Sequence, residues 1–206
     1  MTPGGLLLFP GAGSSSDHPT LVALEEALVP LPVARRDFPY RREGRRAPDR
    51  APKLVACVVE EARIFAEEHG LDPASVLLGG RSMGGRMCSM AVAEGLPAAG
   101  LVLLSYPLHP PGKPERLRVE HFPALDVPCL FLSGDRDPFG TPEEVEREVA
   151  AIPGPVTISW IEGARHDVKG RDDAISAAVS GWVRGLGGRG RASRARRSHQ
   201  RPRRPG

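Results

Sequence analysis

The feature that most constrains the fold of this chain is a serine flanked by glycines at the end of an apolar run. Gly80, Ser82 and Gly84 form a Gly-x-Ser-x-Gly pattern that follows the β-forming residues 76–78 and precedes a stretch suited to a helix. On such a strand-to-helix turn the serine is held in a strained backbone conformation with its hydroxyl exposed, and its neighbours must be small. The pattern therefore predicts an exposed, reactive serine. The alternative is a helix N-cap, which does not require flanking glycines.

Two later apolar runs read as strands, and each is followed by a possible partner for this serine. Asp135 and Asp137 follow the first run, and His166 follows the second. A serine hydroxyl needs a base to take its proton and a third group to orient the base. Because parallel strands end at one edge of a sheet, we expect these side chains to lie near Ser82. The alternatives are a turn residue for Asp135 and a surface loop histidine for His166.

In these motifs the chain resembles the α/β-hydrolase superfamily over about residues 5–185, where the order is serine, acid, histidine. The segments Pro-Gly-Ala-Gly, Asp-Phe-Pro-Tyr and Asp-Pro-Phe-Gly-Thr-Pro-Glu-Glu are similar to a narrower group. That group consists of compact, lidless hydrolase-like proteins near the dienelactone hydrolases, mostly predicted hydrolases of unknown substrate. The wider group includes testis-expressed members and a subunit of an animal chromatin-modifying complex.

The resemblance implies that Ser82 is the nucleophile, His166 the general base and Asp137, rather than Asp135, the acid. The implied function is a serine hydrolase that cleaves an ester-like bond, carboxylester or thioester, of a small-molecule substrate through an acyl-enzyme. No cofactor is implied. The other interpretation is an interaction protein with a hydrolase fold that no longer catalyses.

The same resemblance implies an oxyanion hole, a pair of N–H donors for the negative charge of the tetrahedral intermediate. One donor is the N–H of Met83, directly after the nucleophile. The other is the N–H of Ala12, in the loop after the first strand. Superfamily members commonly carry histidine where this chain has Pro10. The alternative for this loop is a simple tight turn.

Further residues are candidates for substrate contact because they lie near the predicted catalytic edge. They are Gly11, His18, Arg81, Tyr106, His109 and Lys113. Each also has a structural interpretation, since His109, for example, lies among prolines and could simply hold its loop. The arginine pairs at 35–36, 41–42 and 45–46 could bind an anionic substrate, but solvated surface charge is the simpler interpretation. That interpretation is weaker for Arg81, beside the nucleophile.

Alternating strand and helix signals predict an α/β protein, an α/β-hydrolase fold in one domain over residues 1–186. The chain opens at what would be the third strand of the superfamily. We therefore expect a minimal, mostly parallel sheet of about six strands with helices on both faces. Helices are expected near 19–29, 53–69, 83–94 and 171–186, with a loop over 41–52. The connection over 106–127 is too short for a cap domain, so an open cleft is expected.

The composition and the N-terminal residues indicate the cellular compartment of the protein and whether it has a membrane partner. No apolar run approaches the ~20 residues of a membrane helix, and no signal peptide is recognisable. Cys57, Cys88 and Cys129 lie in apolar surroundings and read as free thiols of a cytoplasmic protein. No membrane partner is therefore expected.

Residues 187–206 hold eight arginines and no acidic residue, and they account for the positive net charge of +3. This composition predicts a disordered tail. Basic tails can bind nucleic acid or an anionic surface, so only this segment suggests such a partner.

Overall fold

A single parallel sheet forms the centre of the molecule. The structure, a computed structural model, describes the backbone of residues 2–197 and the side chains of residues 2–188. The strands are β1 (Gly5–Phe9), β2 (Val33–Arg35), β3 (Val76–Arg81), β4 (Gly100–Leu104), β5 (Cys129–Gly134) and β6 (Val156–Ile161). Their order is β2-β1-β3-β4-β5-β6, and every neighbouring pair is parallel. The prediction of about six mostly parallel strands is confirmed.

Helices cover both faces of the sheet, as predicted. They are α1 (Pro19–Ala27), α2 (Pro39–Arg42), α3 (Ala51–Glu68), α4 (Met83–Ala93), α5 (Pro142–Val149) and α6 (Asp172–Arg197). Successive side chains of a strand point to opposite faces. In β1, Leu7 and Phe9 therefore join the core under α3, α4 and α5, whereas Leu6 and Leu8 join the core under α1 and α6.

Three elements differ from the expected boundaries. The segment expected as a loop over 41–52 overlaps α2 and the first turn of α3, and both helices carry proline near their first position, where its missing N–H costs nothing. The final helix continues past Leu186 to Arg197, because glycine lowers helix propensity without forbidding a helix. The part of the predicted tail over 198–206 lies outside the described residues, and a domain boundary at residue 187 stays a prediction.

The edge of the sheet where the strands end is not covered by a further domain. Between β4 and β5 the chain forms only the short 3-10 turn Phe122–Ala124, so no cap domain stands over this edge within residues 2–197. In the same range, no helix combines the length and the apolar character needed to cross a membrane. All three cysteines are free, with Cys88 and Cys129 buried and Cys57 half-buried.

Candidate active site

The turn from β3 into α4 holds Ser82 in an unusual backbone conformation. Its φ and ψ are 51° and −115°, a strained region for a residue with a side chain. A Cβ on Gly80 would lie 2.1 Å from the carbonyl oxygen of Phe9, and one on Gly84 would lie 2.2 Å from the same atom. Both positions are therefore restricted to glycine by the close approach of β1. The sharp turn expected from the Gly-x-Ser-x-Gly pattern is present.

A continuous chain of hydrogen bonds links the side chains of Ser82, His166 and Asp137. The Ser82 Oγ lies 2.9 Å from His166 Nε2. On the other side of the ring, His166 Nδ1 lies 2.8 Å from Asp137 Oδ2 and 3.0 Å from Oδ1. The Asp137 side chain is only 2% exposed, and its Oδ1 also accepts a hydrogen bond from the N–H of Phe139 at 2.8 Å. This geometry allows proton transfer from Ser82 to an imidazole that a buried carboxylate orients.

Asp135, the alternative acid, is not part of this chain. Its Oδ1 is buried and has no hydrogen-bond partner among the described residues. The two carboxylates lie on the same loop after β5, but only Asp137 reaches the imidazole.

The loop that carries His166 is held from three sides. Phe139 stacks on the imidazole with ring centroids 4.0 Å apart. Arg81 donates from Nη2 to the carbonyl of His166 at 2.9 Å, and burial lowers the pKa of this guanidinium. A Cβ on Gly134 would lie 2.2 Å from the carbonyl oxygen of Ala164, so the loops after β5 and β6 are in close contact. Arg81, the residue directly before Ser82, thus helps to orient the loop that carries His166.

The loop after β1 lies directly beside Ser82, since a Cβ on Gly11 would lie 3.6 Å from that of Ser82. Tyr40 Oη donates to the carbonyl of Ala12 at 2.8 Å. The Asp37 carboxylate accepts from the N–H of Ser16 at 2.8 Å and from its hydroxyl at 3.0 Å. The segment after β2 therefore anchors the loop at two points.

A cavity of about 710 Å³ opens over this group of residues. Its lining includes most of the predicted site residues, namely Gly11, Ala12, His18, Arg81, Ser82, Met83 and His166. His18 is also the N-cap of α1, where its Nδ1 accepts from the N–H of Thr20 at 3.3 Å. Burial, with a smaller contribution from Arg81, lowers the pKa of His18.

Three predicted substrate contacts, Tyr106, His109 and Lys113, are not among the residues that line the cavity. Lys113 is exposed, whereas Tyr106 and His109 are buried and support the connection between β4 and β5. Tyr106 donates from its hydroxyl to the carbonyl of Arg118 at 2.7 Å. His109 Nδ1 lies 2.8 Å from the carbonyl oxygen of Pro110, and its Nε2 lies 3.2 Å from Glu144. This connection borders the cavity, as expected, but through Pro107 and Arg118.

Sequence reasoning missed several residues of the site. Arg86, Arg118 and Phe139 line the cavity, and Tyr40 holds its loop. The position of Arg86 could have been inferred, because residues four apart on a helix share a face and Arg86 is four residues after Ser82. No comparable signal exists for Arg118, which lies in an irregular segment.

A sequence model of the family described as alpha/beta hydrolase domain matches residues 4–178. Among solved structures, Est1E from Butyrivibrio proteoclasticus has a TM-score of 0.72 at 15% identity, covering 90% of this chain and 88% of its own. An alpha-beta serine hydrolase homologue from Coxiella burnetii has a TM-score of 0.70 at 19% identity, covering 87% and 85%. A dienelactone hydrolase from Anabaena variabilis has a TM-score of 0.65 at 20% identity, covering 89% and 87%. At such identities these likenesses establish the α/β-hydrolase fold.

Proposed function

This chain belongs to the alpha/beta hydrolase domain family, and we propose that it acts as a serine hydrolase on an ester-like bond, carboxylester or thioester, of a small substrate. The observation that carries the proposal is the hydrogen-bonded chain of Ser82, His166 and Asp137 at the wall of an open cavity. A strained serine, a base at 2.9 Å and a buried carboxylate are the components of an activated nucleophile.

In the proposed reaction, His166 Nε2 takes the proton of the Ser82 hydroxyl as its oxygen attacks the substrate carbonyl. The Asp137 carboxylate stabilises the imidazolium that forms. Collapse of the tetrahedral intermediate breaks the ester-like bond, and the imidazolium returns its proton to the leaving group. Water, activated by the same imidazole, then hydrolyses the acyl-enzyme and restores the Ser82 hydroxyl.

The oxyanion of both tetrahedral intermediates is assigned to the N–H groups of Met83 and Ala12. Met83 is the first residue of α4, where N–H groups have no partner within the helix. Ala12 directly follows Gly11, where a Cβ would lie 3.6 Å from that of Ser82. Two fixed donors of this kind stabilise charge where it develops, which is a large contribution to acyl transfer.

The open cleft supports a small acyl group, since no cap domain is present within residues 2–197 to bury a long chain. Of the predicted substrate contacts, Gly11, His18 and Arg81 border the cavity and remain part of the proposal. The narrower resemblance to compact, lidless proteins near the dienelactone hydrolases is consistent with this cleft.

Labelling of the purified protein with a fluorophosphonate probe, followed by peptide mapping, tests the proposal without knowledge of the substrate. We expect labelling at Ser82 alone and its loss in Ser82→Ala. Ser14→Ala is the matched control, because Ser14 lines the same cavity without contacting His166. Absence of labelling in well-folded protein would overturn the proposal. Binding of nucleic acid or anionic vesicles, lost on deletion of residues 187–206, would then favour the interaction protein.

A further inference from the structure

Three arginines, Arg81, Arg86 and Arg118, line the cavity beside Ser82. From the arginine pairs at the end of β2 and after it, four arginines each form a salt bridge with a carboxylate, at residues 35, 36, 42 and 45. Arg81, Arg86 and Arg118 form none within the described side chains. Of these three, Arg81 already donates to the carbonyl of His166. Within the described side chains, Arg86 and Arg118 are therefore the cavity arginines that form neither a salt bridge nor a side-chain hydrogen bond.

Arg86 lies one helical turn after the proposed nucleophile. Its N–H donates to the carbonyl of Ser82 at 3.1 Å, so the two side chains share one face of α4. The Arg86 Nε is buried and has no hydrogen-bond partner among residues 2–188. A buried donor without a partner is costly, and a bound anion would satisfy it.

Arg118 approaches the same region from the connection between β4 and β5. Two hydrogen bonds fix the backbone of Arg118. Its N–H donates to the carbonyl of Leu108 at 2.9 Å, and its carbonyl accepts from the hydroxyl of Tyr106 at 2.7 Å. Burial and the nearby charge of Arg86 both lower the pKa of the Arg118 guanidinium. The fold thus holds two positive charges close together in a partly desolvated cavity.

The neighbouring groups do not compensate these charges. Burial and the charge of Arg86 lower the pKa of His121 to about 4, so this ring is neutral at pH 7. Asp167 lines the cavity and Glu120 lies two residues after Arg118, but neither forms a salt bridge with these arginines in the described part of the chain.

We propose that Arg86 and Arg118 form an anion subsite, and that the substrate is an ester or thioester carrying a carboxylate or phosphate group. Guanidinium groups match both anions through paired N–H donors. Residues four apart on a helix lie about 6 Å from each other, which places the anion a few bonds from the carbonyl that Ser82 attacks. The link to catalysis rests on the proposed function, whereas binding of the anion does not.

Binding is tested first, without turnover, in the Ser82→Ala variant. Calorimetric titrations with glutarate and with glycerol phosphate distinguish a carboxylate from a phosphate subsite. We expect one of the two to bind, and Arg86→Gln or Arg118→Gln to weaken it about 10- to 100-fold, the usual value of a charged hydrogen bond. Arg116→Gln, an exposed arginine outside the cavity, is the matched control and should weaken binding less than about threefold.

Kinetics then connect the subsite with the reaction. The substrates are the anionic mono-p-nitrophenyl ester of glutarate and neutral p-nitrophenyl butyrate. We expect the kcat/KM of the anionic ester, divided by that of the neutral ester, to fall about 10- to 100-fold in Arg118→Gln and to fall further in Arg118→Glu. A ratio that does not change in either variant, or failure of Ser82→Ala to bind either anion, would overturn the subsite. Anion binding without hydrolysis of any ester and without Ser82 labelling would support the subsite and contradict the proposed function instead.

Discussion

Tyr40 donates a hydrogen bond from its hydroxyl to the carbonyl of Ala12 at 2.8 Å, and so ties the segment after β2 to the loop beside Ser82. We expect Tyr40→Phe to lower kcat about tenfold on any ester, because the Ala12 N–H must be fixed to stabilise an oxyanion. The free energy of unfolding should fall by only about 1 kcal/mol. Steady-state kinetics and urea unfolding measure the two effects.

Tyr106→Phe is the control for this change, since it removes the same kind of bond, to the carbonyl of Arg118. Tyr106→Phe should change the ratio of kcat/KM values for the anionic and the neutral ester, because Tyr106 holds the backbone of Arg118. Tyr40→Phe should not change this ratio. Equal loss of kcat on a neutral ester in both variants would contradict the role given to Tyr40.

Asp137→Asn tests which carboxylate orients the histidine. Without an anionic acceptor at 2.8 Å, His166 loses the partner that sets its tautomer and stabilises its positive charge. We expect kcat to fall about 10³- to 10⁴-fold, the magnitude seen when such a carboxylate is neutralised. Asp135→Asn is the matched control and should reduce kcat less than about threefold, since Asp135 does not touch the imidazole. A reversed order of the two variants would reassign the acid.

His121 predicts a specific pH dependence of stability. Its pKa in the folded protein is about 4, below the ordinary value of 6.5 that applies in the unfolded chain. Between these pH values the unfolded chain binds more protons, so stability is complete above pH 6.5 and decreases as the pH falls toward 4. For a partly exposed ring we expect this contribution to be about 2 kcal/mol.

The measurement is the difference in free energy of urea unfolding between pH 7 and pH 4. It should be smaller in His121→Gln, which keeps an amide near the Ser89 hydroxyl that His121 Nε2 contacts at 2.8 Å. His69→Gln, at an exposed position, serves as control. An unchanged pH dependence in His121→Gln would show that this ring does not titrate as described.

Two glycine-to-alanine changes should have opposite effects on stability. A Cβ at Gly84 would lie 2.2 Å from the carbonyl oxygen of Phe9, so Gly84→Ala should cost more than about 3 kcal/mol or yield insoluble protein. At Gly181, inside α6, a Cβ has no neighbour within 4 Å, and alanine should stabilise by up to about 1 kcal/mol. Thermal unfolding compares both with the parent. A Gly84→Ala protein as stable as the parent would contradict the close approach of β1.

The sequence alone determined the sheet and the positions of the reacting groups along it. Apolar runs of strand length separated by helical patterns require a parallel sheet, and its strands necessarily end at one edge. The Gly-x-Ser-x-Gly pattern specifies a tight turn, because only glycine fits at positions 80 and 84 against the neighbouring strand. The sequence therefore predicts the proximity of Asp137 and His166 to Ser82, because it follows from this topology.

Only the tertiary structure decided which side chains of the irregular segments face the cavity. Tyr106 and His109 were expected there, but they point into the fold, and Arg118 borders the cavity instead. The direction of a loop side chain depends on partners distant in sequence, as when the Tyr106 hydroxyl meets the Arg118 carbonyl. Helix and strand residues repeat with a fixed period, which a sequence displays. Residues of a loop have no such period, so their orientation is set by packing against the rest of the chain.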